Sequence, residues 1–400
     1  MMLLSSFSRL RDPRIARHRR YSLGDLLFIA LCAMLCGADS FVEIEAWAKA
    51  KQSWLRQRLD LPETMPSHDT FGRVFARLDA KLFAECFHQW TQSIAERTKG
   101  EVIAIDGKEI RHSFDLSTGQ AALHLVSAWA CRQRLVLEQE AVFEKSNEIT
   151  AIPALLYRLD IEGCLITIDA MGCQRALAEQ IVEQKGDYCL ALKGNQKDLY
   201  NTVTAFFTTS RANDWHFGEG VLARSIEHFV YQSVEDGHGR RETRRCFVAE
   251  AKDAWLTEEQ LVNWAGLACV VCVESERTIR SRHGKAPIIA LQQRYFLTSL
   301  RPGKSVAREV LHAVRSHWGI ENGLHWVLDV AFREDESRVR RDNAQGNLAT
   351  LRRLSLALLK QDKTATAKGG VKAKRLQAGW DDDYLLTLLG GASQQTKTNS

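Results

Sequence analysis

The chain has 400 residues, of which 45% are hydrophobic and 26% charged, with a net charge of +5. This is the composition of a folded globular protein; it excludes disordered, collagen-like and disulfide-scaffold classes, and the length implies two or three domains or one domain with a large insertion. The longest strongly apolar run, Leu26 to Gly37, is about a dozen residues, short of the roughly 20 that a membrane-spanning helix needs, and predicts a buried helix instead.

Arg9, Arg11, Arg14, Arg17, Arg19 and Arg20 precede that run, but no small-residue cleavage pattern follows it, so neither a signal peptide nor a membrane location is expected and the cytoplasm is the expected compartment. The ten cysteines are scattered through apolar stretches, as reduced buried thiols are. Cys269 and Cys272 form a CxxC, but they lie in a strand-like run whose period of two puts them on opposite faces, which argues against a metal knuckle.

Taken in chain order, Ser22 to Gln57 predicts two helices, broken at Gly37. A breaker follows at Pro62 to Pro66, then a helix capped at Ser67, His68 or Asp69, and another from Lys81 to about Arg97. Residues 1–97 are thus a helical N-terminal domain. VIAIDG, LHLVSAWA and RLVLEQEAV predict three short strands, and Glu148 to Gln184 adds helix, strand and helix before the strand DYCLALKG. Three antiparallel strands followed by strand-helix-strand give an α/β mixed sheet over residues 98–200, for which a ribonuclease-H-like order is the best fit. Residues 201–302 read as a β-rich insertion. Residues 303–362 return to helices, which would form the second part of the core, and 363–400 read as a Lys-rich linker and polar tail.

Asp106 and Asp169 are acidic residues closing otherwise apolar strands, where ligands bind in open α/β sheets. A strand-end aspartate more often caps the next turn, but the repetition favours a shared cation, since paired carboxylates repel unless something positive lies between them. A third carboxylate would complete two metal positions. The candidates are Glu321, Asp329, Glu334, Asp335 and Glu336. Glu321 is favoured as semi-buried at a helix end, whereas Glu334 to Glu336 alternate with arginines like a solvated surface. His317, Glu321 and His325 share an i, i+4, i+8 face, but with no Cys or further His nearby a zinc helix is the lesser reading.

IAIDGK, TIDAMGCQ, LALKGNQ and HWGIENGLHWVLDVAFREDESRVRRDN, with PSHDTFGRVF, DGHGRRETRR and AKRLQAGWDDDYLLTLL, resemble the signature blocks of bacterial insertion-sequence transposases of the DDE class, in the subgroup that includes H-repeat-associated proteins. The resemblance spans nearly the whole chain. It implies a ribonuclease-H-like core split by a β-rich insertion, and a triad of Asp106, Asp169 and Glu321 holding two Mg²⁺ (or Mn²⁺) ions. It also implies double-stranded DNA as partner, as terminal inverted repeats and target. The activity would be end cleavage and 3′-hydroxyl strand transfer by a homodimer in the nucleoid. Related enzymes carry a tyrosine, an arginine and a lysine where this chain has Val314, His317 and Leu328. His317 can still donate to a phosphate, and Arg338, Arg340 and Arg341 are the expected substitutes. Lys108, Lys193, Asn195, Arg240 and Arg241, with His238 beside them, are the other expected DNA contacts. Two alternatives stay open: a nuclease without strand transfer, and a silent DNA-binding relic.

Overall fold

The computed structural model describes residues 6–390 apart from 97, 115–118, 120, 143–147, 218–223, 226, 238–239, 253–254, 280–287 and 363–369. The N-terminal unit contains α1 (Leu23–Leu35), α2 (Phe41–Ala50), α3 (Gln52–Arg56), α4 (His68–Arg77) and α5 (Ala80–Ile94). Each longer helix begins where a short polar side chain satisfies a free backbone donor: Ser22 accepts from Asp25 N, Ser40 and Glu43 form a capping box, Ser67 accepts from Thr70 N and Asp79 from Leu82 N. Every residue of α1 from Leu26 to Leu35 is buried. An all-round apolar helix has to be wrapped by others, and the expectation of a buried helix holds.

The core follows the predicted order: β1 (Val102–Glu109), β2 (His124–Ala130), β3 (Leu135–Val142), α6 (Glu148–Tyr157), β4 (Leu165–Ile168), α7 (Arg175–Glu183) and β5 (Asp187–Leu192). β1 pairs antiparallel with β2, and β2 with β3; β1 and β4, and β4 and β5, pair in parallel. The order β3-β2-β1-β4-β5 is that of a ribonuclease-H-like mixed sheet. Two features of the following segment differ from the β-rich expectation. It begins with a helix, α8 (Lys197–Ala212), whose buried Leu199, Val203, Phe206 and Phe207 recur at helical spacing. Nor is it a separate unit. After the short β6 (His216–Phe217) and β7 (Arg224–Ser225), the long strands β8 (His228–Gly237), β9 (Arg240–Glu250), β10 (Cys269–Ile279) and β11 (Ile288–Thr298) continue the core sheet to nine strands, because β11 pairs antiparallel with β5. The short helix α9 (Glu258–Val262) lies between β9 and β10.

Alternation along β10 serves both faces of this sheet. Cys269, Val271 and Val273 pack with Val306, Val310 and Val314 of α10 (Val306–Ile320), while Val270 and Cys272 join the main core. The two cysteines of the CxxC therefore point apart, as the period of two required, and all ten cysteines are free. Beyond α10 come a π-helical turn (Glu321–His325), α11 (Trp326–Phe332) and α12 (Ala344–Gln361). α12 is buried along nearly its whole length and shares one apolar core with the N-terminal helices and the sheet. Its Asn347 Nδ2 donates to the carbonyls of Phe75 and Leu78 at 2.7 and 2.9 Å, satisfying the end of α4.

The expectation of a linker and tail after residue 363 is corrected in part. Residues 363–369 and the tail from 391 lie outside the described residues, but between them are two helices, α13 (Gly370–Trp380) and α14 (Asp382–Leu388). Buried Tyr384, Leu385 and Leu388 anchor α14. Arg375, 4% exposed, donates to the carbonyls of Met34, Ala38 and Ala331 and to the Asp39 carboxylate. Lys and Arg density read as solvation; here the guanidinium instead supplies donors to carbonyls at the end of α1, just after it and in α11.

Candidate active site

The parallel register of β1 and β4 places Ile105 opposite Ile168. The next residue after each is an aspartate, so Asp106 and Asp169 stand side by side: Asp169 just past the end of β4, as expected, and Asp106 at the end of the β1–β4 pairing but inside β1, which continues to Glu109 paired with β2. Both are partly buried. Asp169 also does what strand-end aspartates commonly do: its Oδ1 accepts from the backbone N–H groups of Met171 and Gly172 at 3.0 and 3.3 Å. The turn closes tightly enough that a Cβ on Gly172 would lie 2.2 Å from Ile168 Cγ2. Asn195, from the loop after β5, donates its amide to Ala170 O at 2.6 Å and fixes the same turn from the other side.

Opposite these strands, α10 brings in His317, whose Nδ1 is 3.0 Å from Thr167 Oγ1 on β4. Burial lowers its imidazole below the usual histidine range and outweighs the opposing pull of the Asp106 and Asp169 charges, so the ring is neutral at pH 7. The helix then widens into the π turn, a device that admits one extra residue and commonly marks a working site. This turn lies against the indole of Trp129 on β2. At Gly323 a Cβ would be 3.0 Å from the ring, so glycine there lets the turn approach the sheet.

Glu321 opens the turn and His325 closes it. One ligand atom from each of Asp106, Glu321 and His325 lies within 4.8 Å of the others, and His325 Nε2 is 3.4 Å from Asp106 Oδ2. Glu321 is exposed, where a semi-buried position was expected, because its face of the turn looks outward over the strand ends while Ile320 and Leu324 point into the core. His325, weighed in the sequence only as part of a zinc helix, is 4% exposed, and neither ring nitrogen has a hydrogen-bond partner. Two carboxylates and an unsatisfied buried imidazole form a donor set that fits a divalent cation.

The expected DNA contacts separate into two groups. Lys108 does not face solvent. It is 8% exposed, and its Nζ pairs with Asp329 and lies 3.5 Å from Asp335, so its charge is already neutralised by carboxylates beyond Glu321. Asn195 is committed to Ala170, and His317 is turned to Thr167. Arg240 pairs with Glu242 at 3.0 Å, and Arg340 donates to His112 O and lies over the Phe114 ring. Lys193, Arg241, Arg338 and Arg341 are exposed; His238 lies outside the described residues. Lys193, Arg294, His317 and Trp318 line a hollow of about 440 Å³ beside Asp169. A second groove, of about 600 Å³, runs between Arg338, Arg340 and Arg341 and the N-terminal residues His68 and Arg73. Val314 and Leu328, which stand where related enzymes carry phosphate-binding side chains, are buried packing residues.

The acidic cluster after α11 also differs from expectation. Glu334 is fully buried and meets the equally buried Arg353 of α12 at 2.8 Å. Burial opposes its ionisation, but Arg353, Arg352 and Lys108 outweigh that and hold its carboxyl below the ordinary range. Only Glu336, paired with Arg333, has the expected exposed character.

Residues 97–358 match the family model described as a transposase DDE domain, and residues 4–91 match the DDE_Tnp_1-associated model. The chain is similar to a putative transposase YncI of Escherichia coli O157:H7, 37% identical over 392 residues, covering 98% of this chain and 95% of that protein. It is also similar to the H repeat-associated putative transposase YhhI of Escherichia coli K12, 35% identical over 390 residues with 98% of each covered. An inactive transposase YbfQ of the same strain matches 19% of this chain at 31% identity. Among solved structures, a piggyBac transposase synaptic complex with hairpin DNA aligns at a TM-score of 0.44 and 10% identity, covering 99% of this chain and 80% of that one.

Proposed function

The chain belongs to the transposases of the DDE class, and from that premise we propose that it cuts DNA at transposon ends and joins the freed 3′-hydroxyl to target DNA, in a metal-dependent reaction at Asp106, Asp169 and Glu321. The observation that carries this reading is the meeting of elements distant in sequence: Asp106 on β1 beside Asp169 at the end of β4, and Glu321 brought to Asp106 by the π turn.

Asp106, Asp169 and Glu321 would hold divalent cations, two in this reading, of the Mg²⁺ or Mn²⁺ type. When bound, such ions polarise the scissile phosphate and stabilise charge on the attacking and leaving oxygens. The chain's own residues supply the geometry. The Asx turn fixes the Asp169 carboxylate, and Asn195 fixes the turn through Ala170. Neutral His317 sits beside both aspartates without adding a charge. Lys193 is exposed beside Asp169 and can neutralise a phosphate oxygen of the same strand. Arg338 and Arg341, and Arg241 at the distal hairpin, extend the phosphate contacts. Two ends are cut in each event, so the reading includes a pair of copies on DNA, working in the nucleoid.

Asp106→Asn, Asp169→Asn and Glu321→Gln should each abolish nicking of a terminal-repeat duplex while leaving its gel shift intact. A variant that nicks at the parental rate removes its residue from the centre. Arg338→Ala and Arg341→Ala should weaken binding and each reduce the slope of log affinity against log salt by about one; unchanged slopes would show that they touch no phosphate.

A further inference from the structure

We propose that His325 is a nitrogen ligand, so that the two cation positions are chemically unequal: one held by Asp106, Glu321 and His325, the other by Asp106 and Asp169 through oxygen alone. The inference rests on the carboxylate centre proposed above and adds a residue that the three-carboxylate reading does not use.

Three observations carry it. His325 is 4% exposed, yet neither Nδ1 nor Nε2 makes a hydrogen bond, an expensive arrangement for a polar ring in a core unless a further partner binds there. Its Nε2 points at the carboxylates, 3.4 Å from Asp106 Oδ2. Among the described residues, the set with ligand atoms all within 4.8 Å is Asp106, Glu321 and His325, not the three carboxylates. The π turn builds this set: it holds residues four apart, Glu321 and His325, toward the same point over β1. His317, the other nearby imidazole, has its Nδ1 engaged by Thr167.

The chemical consequence is a cation preference. Mg²⁺ takes oxygen donors and holds its waters tightly, whereas imidazole suits later first-row metals, and Mn²⁺ accepts mixed oxygen and nitrogen sets more readily than Mg²⁺ does. The Asp106–Glu321–His325 position should therefore favour Mn²⁺ over Mg²⁺, and the Asp106–Asp169 position should not.

The test is pulsed electron paramagnetic resonance on the full chain loaded with Mn²⁺ alone, without DNA. The expected result is ¹⁴N modulation of bound Mn²⁺ in the parent chain, lost in His325→Gln and kept in His317→Gln, with Mn²⁺ affinity falling at least about tenfold in His325→Gln. Mn²⁺ that depends on Asp106 and Glu321 but shows no nitrogen coupling in the parent chain overturns the inference and leaves the carboxylate centre standing. Nitrogen coupling that survives in His325→Gln overturns it too. If Asp106→Asn and Glu321→Gln leave Mn²⁺ affinity unchanged, the carboxylate centre fails together with it. The parent-chain spectrum decides the coupling even if a variant folds poorly.

Discussion

At the scale of single residues, Asp106 and Asp169 were legible because a charge inside an apolar strand is anomalous locally, and local anomalies are what a sequence displays. Glu334 was not. Glu-Asp-Glu between arginines reads as surface, and its partner Arg353 lies on a different helix, so only the fold shows that the pair is buried. The pair has a testable pH signature. Its carboxyl is held below the ordinary value near 4.5, so the stabilisation is fully present above that value and is lost as pH falls through the lower folded value. Glu334→Gln leaves the Arg353 charge buried without its counter-ion and should cost about 3–5 kcal/mol at pH 7. It should also flatten the loss of stability below about pH 5, as measured by urea unfolding at a series of pH values. An unchanged acid slope would show that Glu334 does not contribute to it. Gly172 makes a second residue-scale case. An alanine there must displace Ile168 and open the turn that holds Asp169, so Gly172→Ala should slow nicking at least tenfold with end-binding preserved, read by the same nicking and gel-shift assays.

Among the elements, helical and strand periodicity placed β1 to β5 and the helices between them within a few residues, because each buries one face or both in regular alternation. The elements that escaped include α8 and the π turn. α8 was absorbed into the insertion, since its polar N-terminal turn follows directly on the Lys193–Gln196 loop and no breaker separates them. The π turn has no sequence signature beyond glycines at 319 and 323, whose meaning depends on Trp129 lying beneath them. Lys108 ties these elements together: on β1, two residues past Asp106, it pairs with Asp329 on α11, eight residues past Glu321. Burial raises the Asp329 carboxyl above its usual range despite Lys108, so the pair is only partly stabilising in itself. The pair joins α11, the helix that follows the Glu321 turn, to the strand that carries Asp106. Lys108→Met should therefore lower stability modestly and reduce nicking more than DNA binding. Parental nicking in a folded Lys108→Met chain would remove the clamp from the account.

For the molecule as a whole, the sequence suggested parts joined in series, and the structure shows two joints that only tertiary contact reveals. The insertion extends the core sheet through β5 and β11, and the C-terminal helices close over α1 through Arg375. Neither was legible, because strand partners and guanidinium acceptors distant along the chain leave no periodic trace. A chain ending at residue 362 should lose its cooperative unfolding transition, since it exposes the apolar surface under Leu385 and Leu388 and strands the carbonyls that Arg375 satisfies; a transition at the parental temperature would show that α13 and α14 are dispensable. The assembled molecule presents one centre on which both proposed reactions depend, and the most direct measurement of that claim is strand transfer. Pre-cut terminal-repeat duplexes with a free 3′-hydroxyl are mixed with supercoiled plasmid and Mg²⁺ or Mn²⁺, and joined products are counted. The account predicts joined products that require the 3′-hydroxyl and disappear in Asp106→Asn, Asp169→Asn and Glu321→Gln. Plasmid nicking without joining, or joining by any of those three variants at the parental rate, would contradict it.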